Sequence, residues 1–322
     1  MAPDLIRLHH VGHVVRDMPA ALAFYRRLGF VVPAPSYPAL PSREGAEPEP
    51  FGAANTHADF PRDFLELATV VHAGDRVPAD AQLVPLQAPA DVLPILLDRI
   101  NATRANLAAC LERFEGLHIL MFSSPDIDVT AARLATAGVR HGGVRHGGVN
   151  TVRRPAGTEV ETVRYLEIDG EQPGAVAEGR IGVVAELDQR IQATRLADHP
   201  NGALGLVEAT LCAADSELDA VQAWYENYLG RPPRTDGRAQ VFDLDGTTLT
   251  LVPDSGLDTL LPGERPLALP ALVACTVTVR DLATTQNLLR DHAIPLRRAA
   301  SGDVFVPATA AFGAAIVFRQ AD

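Results

Sequence analysis

The sequence predicts an α+β protein built from four βαβββ modules. The first observation is a unit in residues 8–30, where a strand that carries His10 leads through a capping Asp17 into a helix that Gly29 stops. The second is that this unit returns three times, beginning near residues 117, 206 and 272. The third is that a short strand pattern closes each copy. Because a repeat fixes architecture, four modules are predicted.

The first strand divides its side chains between two faces. Alternation over residues 8–15 places His10 and Gly12 on one face, and His9 and His13 on the other. Helices of the later modules are predicted to begin at the capping residues Asp126, Asp215 and Asp281.

The closing strands of the first two modules carry acids. Residues 64–67 read FLEL and residues 165–168 read YLEI, so Glu66 and Glu167 lie on the face opposite the neighbouring leucines. Each of these strands is predicted to be the last of its module. In the later modules the closing patterns are TLTL at 248–251 and AIVF at 315–318.

Two segments interrupt the first half. Residues 33–50 carry six prolines and predict an irregular loop. An insert at about residues 77–115 predicts two helices with a break near 101–103, which lie either beside the sheet or over the mouth of a cup. Between these segments lie Asn55 and His57, for which two predictions are open. Both side chains face the same cup as Glu66, or His57 is an exposed turn residue; the second is favoured.

These residues resemble the vicinal oxygen chelate superfamily, and within it the glyoxalase-like domain proteins. The resemblance implies that modules pair into two cupped mixed sheets, as in the glyoxalase, bleomycin resistance and extradiol dioxygenase fold. It also implies one divalent metal, with ligands at His10, Glu66, His118 and Glu167. The matching positions of the second half depart from this pattern and imply no metal there; they are Glu208, Thr250, Ala274 and about Ile316.

The chain length predicts more than one domain, since 322 residues exceed what one hydrophobic core usually holds. Residues 1–172 are predicted to form a metal-bearing domain that includes the insert. Residues 173–203 are the predicted linker, and residues 204–322 the predicted degenerate domain, kept for structure.

Two imidazoles and two carboxylates suit a six-coordinate ion with open water positions better than a closed structural zinc site. Iron, manganese, nickel, cobalt and zinc remain possible. Such an ion stabilises an enolate when a nearby base removes a proton, which implies a lyase or isomerase for a small oxygenated substrate. By similarity to glyoxalase I, the candidate base is Glu167 or Glu66.

Two alternatives stay open. An extradiol-type dioxygenase needs Fe(II) on a face of two histidines and one carboxylate, which His10, His118 and Glu167 would supply. Against it, Glu66 fills a place that such enzymes leave without a ligand. The other alternative is a non-catalytic protein that binds a drug or metabolite, although such members lack the metal set.

A tandem of VRHGG in residues 139–148 adds two further candidates. His141 and His146 on a glycine-rich loop are candidate general acids or bases, because imidazole titrates near neutral pH. A duplication within a solvent-exposed loop is the competing explanation. At the end of the predicted linker, His199 and Asn201 either reach toward a site or form a turn, and the turn is the favoured prediction.

Composition excludes several classes of partner. The formal charge of −12 and the pI near 5.3 argue against nucleic acid and against an anionic membrane surface, which leaves a small-molecule substrate. Three cysteines without CxxC spacing are typical of reduced thiols. With no signal peptide pattern and no apolar run long enough to span a bilayer, a cytoplasmic location is expected, and a homodimer is possible.

Overall fold

A computed structural model describes residues 4–41, 47–72, 75, 77–86, 91–154, 157–169, 172–186 and 197–322. The helices are α1 (Met18–Arg27), α2 (Leu93–Arg113), α3 (Ile127–Thr136), α4 (Leu218–Leu229), α5 (Asp254–Leu260), α6 (Leu282–Asp291) and a 3₁₀ turn (Ala308–Ala310). The strands of the first half are β1 (Arg7–Val15), β2 (Ser36–Pro41), β3 (Pro48–Pro50), β4 (Ala53–Asp59), β5 (Phe64–Val70), β6 (Gln82–Pro85), β7 (Gly116–Ser124), β8 (Arg145–Arg154), β9 (Gly157–Glu167) and β10 (Arg180–Ala185). Those of the second half are β11 (Ala203–Ala213), β12 (Arg234–Asp236), β13 (Ala239–Asp243), β14 (Thr248–Pro253), β15 (Ala271–Val279), β16 (Arg297–Arg298), β17 (Val304–Val306) and β18 (Ala315–Gln320).

Each half is built around an antiparallel pair of first strands. In the first half β1 pairs with β7, and the parallel partners β5 and β10 flank this pair. In the second half β11 pairs with β15, flanked by the parallel strands β14 and β18. The halves join where Leu272 of β15 pairs with Leu117 of β7. The predicted α+β fold of four βαβββ modules in cupped mixed sheets is confirmed.

Aspartate caps begin three of the four module helices. Asp17 accepts from the backbone N–H of Ala20, and Asp281 caps α6 in the same way. Asp126 likewise caps α3 through two backbone N–H groups. The prediction of Asp215 as the cap of the third helix is wrong, because its carboxylate accepts from Ser255 and the helix begins after Glu217.

The four module helices bury their apolar faces in one core that both halves share. This core also takes up the side chains on one face of the central strands. Because the helices lie between the halves, the opposite faces of the two sheets remain as the concave faces. Representative buried members are Leu8, Tyr25, Leu134, Tyr225, Leu289 and Phe318.

The insert helix α2 covers part of the first concave face. Its Leu107 and Leu111 pack on Val14 of β1 and on Ile119 and Met121 of β7. The helix is continuous from Leu93 to Arg113, so the predicted break near residues 101–103 is wrong. Of the two predicted positions for the insert, the structure shows the one over the cup.

Two other predictions about the first half are wrong. Residues 33–50 were expected to be irregular, but β2 and β3 lie in this segment and pair with each other. The last strand of the second module is β10, which runs parallel to β7 as β5 runs parallel to β1. The YLEI segment therefore belongs to β9, the strand before the last, and β10 lies in the range 173–203 predicted as a linker. Residues 187–196 of that range lie outside the described residues.

Candidate functional site

The candidate site lies on the concave face of the first half, beyond the part that α2 covers. The parallel register of β1 and β5 sets Phe64 beside His10 and Glu66 beside Gly12. Gly12 leaves no room for a side chain, since a Cβ there would approach Ile119 of β7 to 2.8 Å. Strand alternation puts His10 on this same face.

His10 and Glu66 form a buried pair. The distance between His10 Nε2 and Glu66 Oε2 is 3.6 Å, and the residues are 8% and 9% exposed. Asn55 of β4 donates to the other carboxylate oxygen, Glu66 Oε1, over 2.9 Å. This hydrogen bond fixes the carboxylate and leaves Oε2 directed toward the imidazole.

Burial and neighbouring positive charge keep His10 neutral. Burial lowers the pKa of His10 well below 6.5, and His9, His57 and Arg180 lower it further. The Nδ1 atoms of His9 and His10 are 2.7 Å apart, so one of them carries the proton and the other accepts it. When His9 donates, His10 carries its own hydrogen on Nε2, which faces Glu66.

Phe64 forms an aromatic wall between two histidines. Its ring stacks on His10 with the centroids 4.3 Å apart and contacts His57 at 4.4 Å. His57 pairs with Glu66 across β4 and β5, and it is half-buried. The favoured prediction of an exposed turn histidine is therefore wrong, and His57 lies beside Glu66 in the cup.

A second ion pair completes the polar cluster. Arg180 of β10 donates through Nη2 to Glu167 Oε1 of β9, with side chains 17% and 10% exposed. Burial lowers the pKa of Arg180, but Glu167 and Glu66 raise it more, so the guanidinium is firmly charged. The pKa of His10 is lowered by this same cation. Arg180 therefore lies within electrostatic reach of both carboxylates and of His10.

α2 closes the cluster on one side. Its Asn106 and Cys110 line a cavity of about 20 Å³ together with Arg180 and Glu167. This volume holds about one water molecule. A ligand larger than a water molecule therefore does not fit between α2 and Arg180.

His118 lies away from this cluster. The pairing of β1 with β7 passes from Gly12–Ile119 to His13–Leu117, so His118 is the extra residue of a β-bulge. Its Nε2 donates to the carbonyl oxygen of Phe114 over 3.0 Å, and burial lowers its pKa to about 4. His118 is a neighbour of His13, whose pKa it helps to lower, rather than of His10.

The arrangement does not fit the four-ligand metal shell that the resemblance implies. His10 and Glu66 face each other, but Glu167 is paired with Arg180 and His118 is bonded to a backbone carbonyl. A buried guanidinium among the donors also repels a divalent cation. In the part of the chain that the structure describes, no group of three or more His, Cys, Asp or Glu side chains is arranged to hold a metal ion.

The two histidines of the VRHGG tandem lie elsewhere. His141 donates through Nε2 to the carbonyl of Ala131 over 3.0 Å, and it lines a surface cavity of about 100 Å³ with Arg140 and Asp169. His146 is exposed, and its carbonyl accepts from Arg99. The structure does not bring either imidazole to His10 and Glu66, and their catalytic role stays a prediction.

The second half repeats the geometry with other residues. Glu208 and Thr250 occupy the register positions of His10 and Glu66, as predicted, and their side-chain oxygens are 2.6 Å apart. Arg319 of β18 donates to Glu208 over 2.8 Å and to Asp303 over 2.9 Å. Both carboxylates of this network are therefore ion-paired with Arg319, and Thr250 is a poor metal ligand.

Sequence reasoning missed Arg180 because β10 was taken for part of a linker. The apolar run IGVV after Arg180 is the signal that indicates a buried strand. His199 and Asn201, predicted to form a turn, do so between the halves. Asn201 donates to the carbonyl of Leu28, and His199 accepts from the N–H of Val31.

Comparison with solved structures supports the fold. A triple mutant of 4-hydroxymandelate synthase from Streptomyces coelicolor is 14% identical over 99% of this chain and 92% of that chain, with a TM-score of 0.56. A hypothetical protein from Staphylococcus aureus is 8% identical over 98% and 100%, with a TM-score of 0.55. A variant of homoprotocatechuate 2,3-dioxygenase from B. fuscum is 13% identical over 100% and 72%, with a TM-score of 0.51. At these identities the similarity shows the fold alone.

Sequence comparison identifies the family. No curated protein matches the chain. In the described residues, no helix is long and apolar enough to cross a membrane. The Glyoxalase-like domain family matches residues 8–229, which include His10, Glu66, Arg180 and both modules of the first half. The protein is therefore a member of the Glyoxalase-like domain family within the vicinal oxygen chelate fold.

Proposed function

We propose that this protein is an enzyme of the lyase or isomerase type that moves a proton on a small oxygenated substrate in the first concave face. The observation that supports the proposal most strongly is the buried pair of His10 and Glu66, set 3.6 Å apart on neighbouring strands. That spacing exceeds a hydrogen bond, so each side chain keeps one polar atom for a substrate.

Glu66 is the proposed base. Its Oε1 accepts a hydrogen bond from Asn55, whereas Oε2 has His10 as its neighbour at 3.6 Å. The alternative base, Glu167, already accepts from Arg180 and has less freedom to take a proton. A substrate with an acidic C–H beside a carbonyl would give that proton to Glu66 Oε2, and the C–H electron pair would become the enolate.

His10 is the proposed hydrogen-bond donor to the carbonyl oxygen. A neutral imidazole with its hydrogen on Nε2 polarises a carbonyl without adding charge to a buried site. Stacking on Phe64 and the contact with His9 fix the ring. Return of the proton from Glu66 to the same carbon regenerates the substrate and exchanges its hydrogen with solvent. Return to the adjacent carbon, with transfer of the hydroxyl proton to the first oxygen, gives isomerisation, and loss of a leaving group gives a lyase reaction.

The ring-cleaving dioxygenase remains the alternative, because the fold of this chain is also that of a homoprotocatechuate 2,3-dioxygenase. It requires His10, His118 and Glu167 on one face. The hydrogen bond of His118 to Phe114 and the ion pair of Glu167 favour proton transfer instead.

The test is deuterium incorporation in D₂O, followed by NMR on a panel of small ketones, hydroxyketones and their esters. Wild type is expected to exchange the C–H of at least one compound, and Glu66→Gln to lose about 100-fold or more of this rate. The matched control is Glu112→Gln, at an exposed position on α2. Equal rates in Glu66→Gln and the control would contradict the role of Glu66. Tight binding without exchange would indicate the binding-protein alternative.

A further inference from the structure

The polar cluster of the first concave face contains more carboxylates than cations. Glu167 is ion-paired with the guanidinium of Arg180, and Glu66 lies within the electrostatic reach of the same guanidinium. Two carboxylates therefore share one guanidinium. In a buried site a further fixed negative charge is costly, since there is only one cation to balance three anions.

Arg180 occupies in the second module the register position that Glu66 occupies in the first, since Gly12 and Ile119 pair with each other and lie beside Glu66 and Arg180 respectively. It lies on β10, the strand whose place in the second module matches that of β5 in the first. It acts on both carboxylates and on His10, and its Nε has no hydrogen-bond partner among the described residues. A guanidinium has five N–H donors, of which Glu167 uses one in this structure.

We propose that Arg180 stabilises the oxyanion formed in this site in place of a divalent metal, and that the substrate is an uncharged carbonyl compound. This inference rests on the proposed proton transfer. When Glu66 takes the proton, its negative charge disappears and one negative charge forms on the substrate oxygen, so the net charge of the site is unchanged. The electrostatic attraction between Arg180 and Glu66 is replaced by attraction between Arg180 and the enolate oxygen.

Substrate charge gives the first test. Relative to their base-catalysed exchange in solution, ketones that carry a remote neutral ester are expected to exchange about 100-fold faster than the same ketones with a remote carboxylate, because the carboxylate adds a third anion to the site. A carboxylate that exchanges as fast as its ester would overturn the inference.

Arg180→Met is expected to lose about 100-fold of the exchange rate, as when an oxyanion donor is removed. An unchanged rate in Arg180→Met would also overturn the inference.

Metal binding gives a test that needs no activity. When wild type is titrated with cobalt(II) and the visible absorption of the ion is followed, no stoichiometric site is expected. Arg180→Met removes the cation that repels a metal ion and exposes three donors, which are His10, Glu66 and Glu167. Arg180→Met is expected to bind cobalt more tightly than wild type. Arg180→Lys keeps the charge, provides a folded comparison if the Met variant is unstable, and is expected to exclude cobalt as wild type does.

The outcomes separate the two proposals. Exchange that persists in wild type with a chelator present supports both. Exchange that a chelator abolishes and a metal restores would overturn the role of Arg180 and leave proton transfer by Glu66 intact. Absence of exchange with every compound would overturn the proposed function. The oxyanion role of Arg180 would then be overturned with it, and cobalt bound by Arg180→Met but not by wild type would show only that Arg180 excludes a metal ion from this site.

Discussion

Replacing Glu167 by Gln tests whether Glu167 and Arg180 form a buried ion pair. The change keeps the shape of the side chain but leaves the guanidinium of Arg180 with a neutral neighbour. Removing one partner of a buried pair costs about 3 to 5 kcal/mol of the free energy of unfolding. Arg180 is 17% exposed and Glu66 remains near it, so the lower end of this range, about 3 kcal/mol, is expected.

The assay is urea unfolding at pH 7. The matched control is Glu112→Gln, at an exposed position on α2. The control is expected to change the free energy of unfolding by less than about 0.5 kcal/mol. The double variant Glu167→Gln with Arg180→Met removes both charges and is expected to cost less than the sum of the single changes. If Glu167→Gln behaves like the control, or if the single costs are additive, the ion pair is not formed as described.

Three further predictions concern stability and the two halves. Burial lowers the pKa of His13 to about 3 and that of His118 to about 4, so the folded state resists protonation of both and is more stable above pH 6.5 than at lower pH. As pH falls from 6.5 toward 4, each histidine is expected to lower the free energy of unfolding, measured in urea, by roughly 1 kcal/mol for each pH unit. The loss is expected to be smaller in His118→Asn. Gly12→Ala is expected to lower the free energy of unfolding by about 1 to 3 kcal/mol, because its Cβ would overlap Ile119; unchanged thermal unfolding would contradict this close approach. Arg319→Met is expected to lower the unfolding temperature and leave deuterium exchange unchanged; a loss of exchange would show that the second half takes part in the reaction.

The repeat made most of the fold predictable from the sequence. Strand, cap, helix and glycine stop are local signals, and they recur in each module, so the caps at Asp17, Asp126 and Asp281 were found. The third helix was missed at its start because Asp215 has a tertiary partner, Ser255, that local sequence does not reveal.

The candidate site was only partly predictable, for two physical reasons. The face on which His118 lies depends on a one-residue bulge in β7, and a bulge reverses which side chains face the cup. Glu167 was assigned to a closing strand because YLEI resembles FLEL, but the parallel register belongs to β10. His10 and Glu66, which lie on regular strands of one module, are brought together as their spacing indicates.

The imidazole ¹⁵N spectrum, recorded with and without the compound that exchanges fastest and assigned with His10→Gln, shows directly whether His10 and Glu66 form the reacting site. We expect His10 to be neutral at pH 6, with hydrogen on Nε2, and its Nε2 resonance to shift when the compound binds. The resonances of His118 are expected not to shift. A cationic His10, or a shift confined to His118, would contradict the claim that the pair of His10 and Glu66 forms the reacting site.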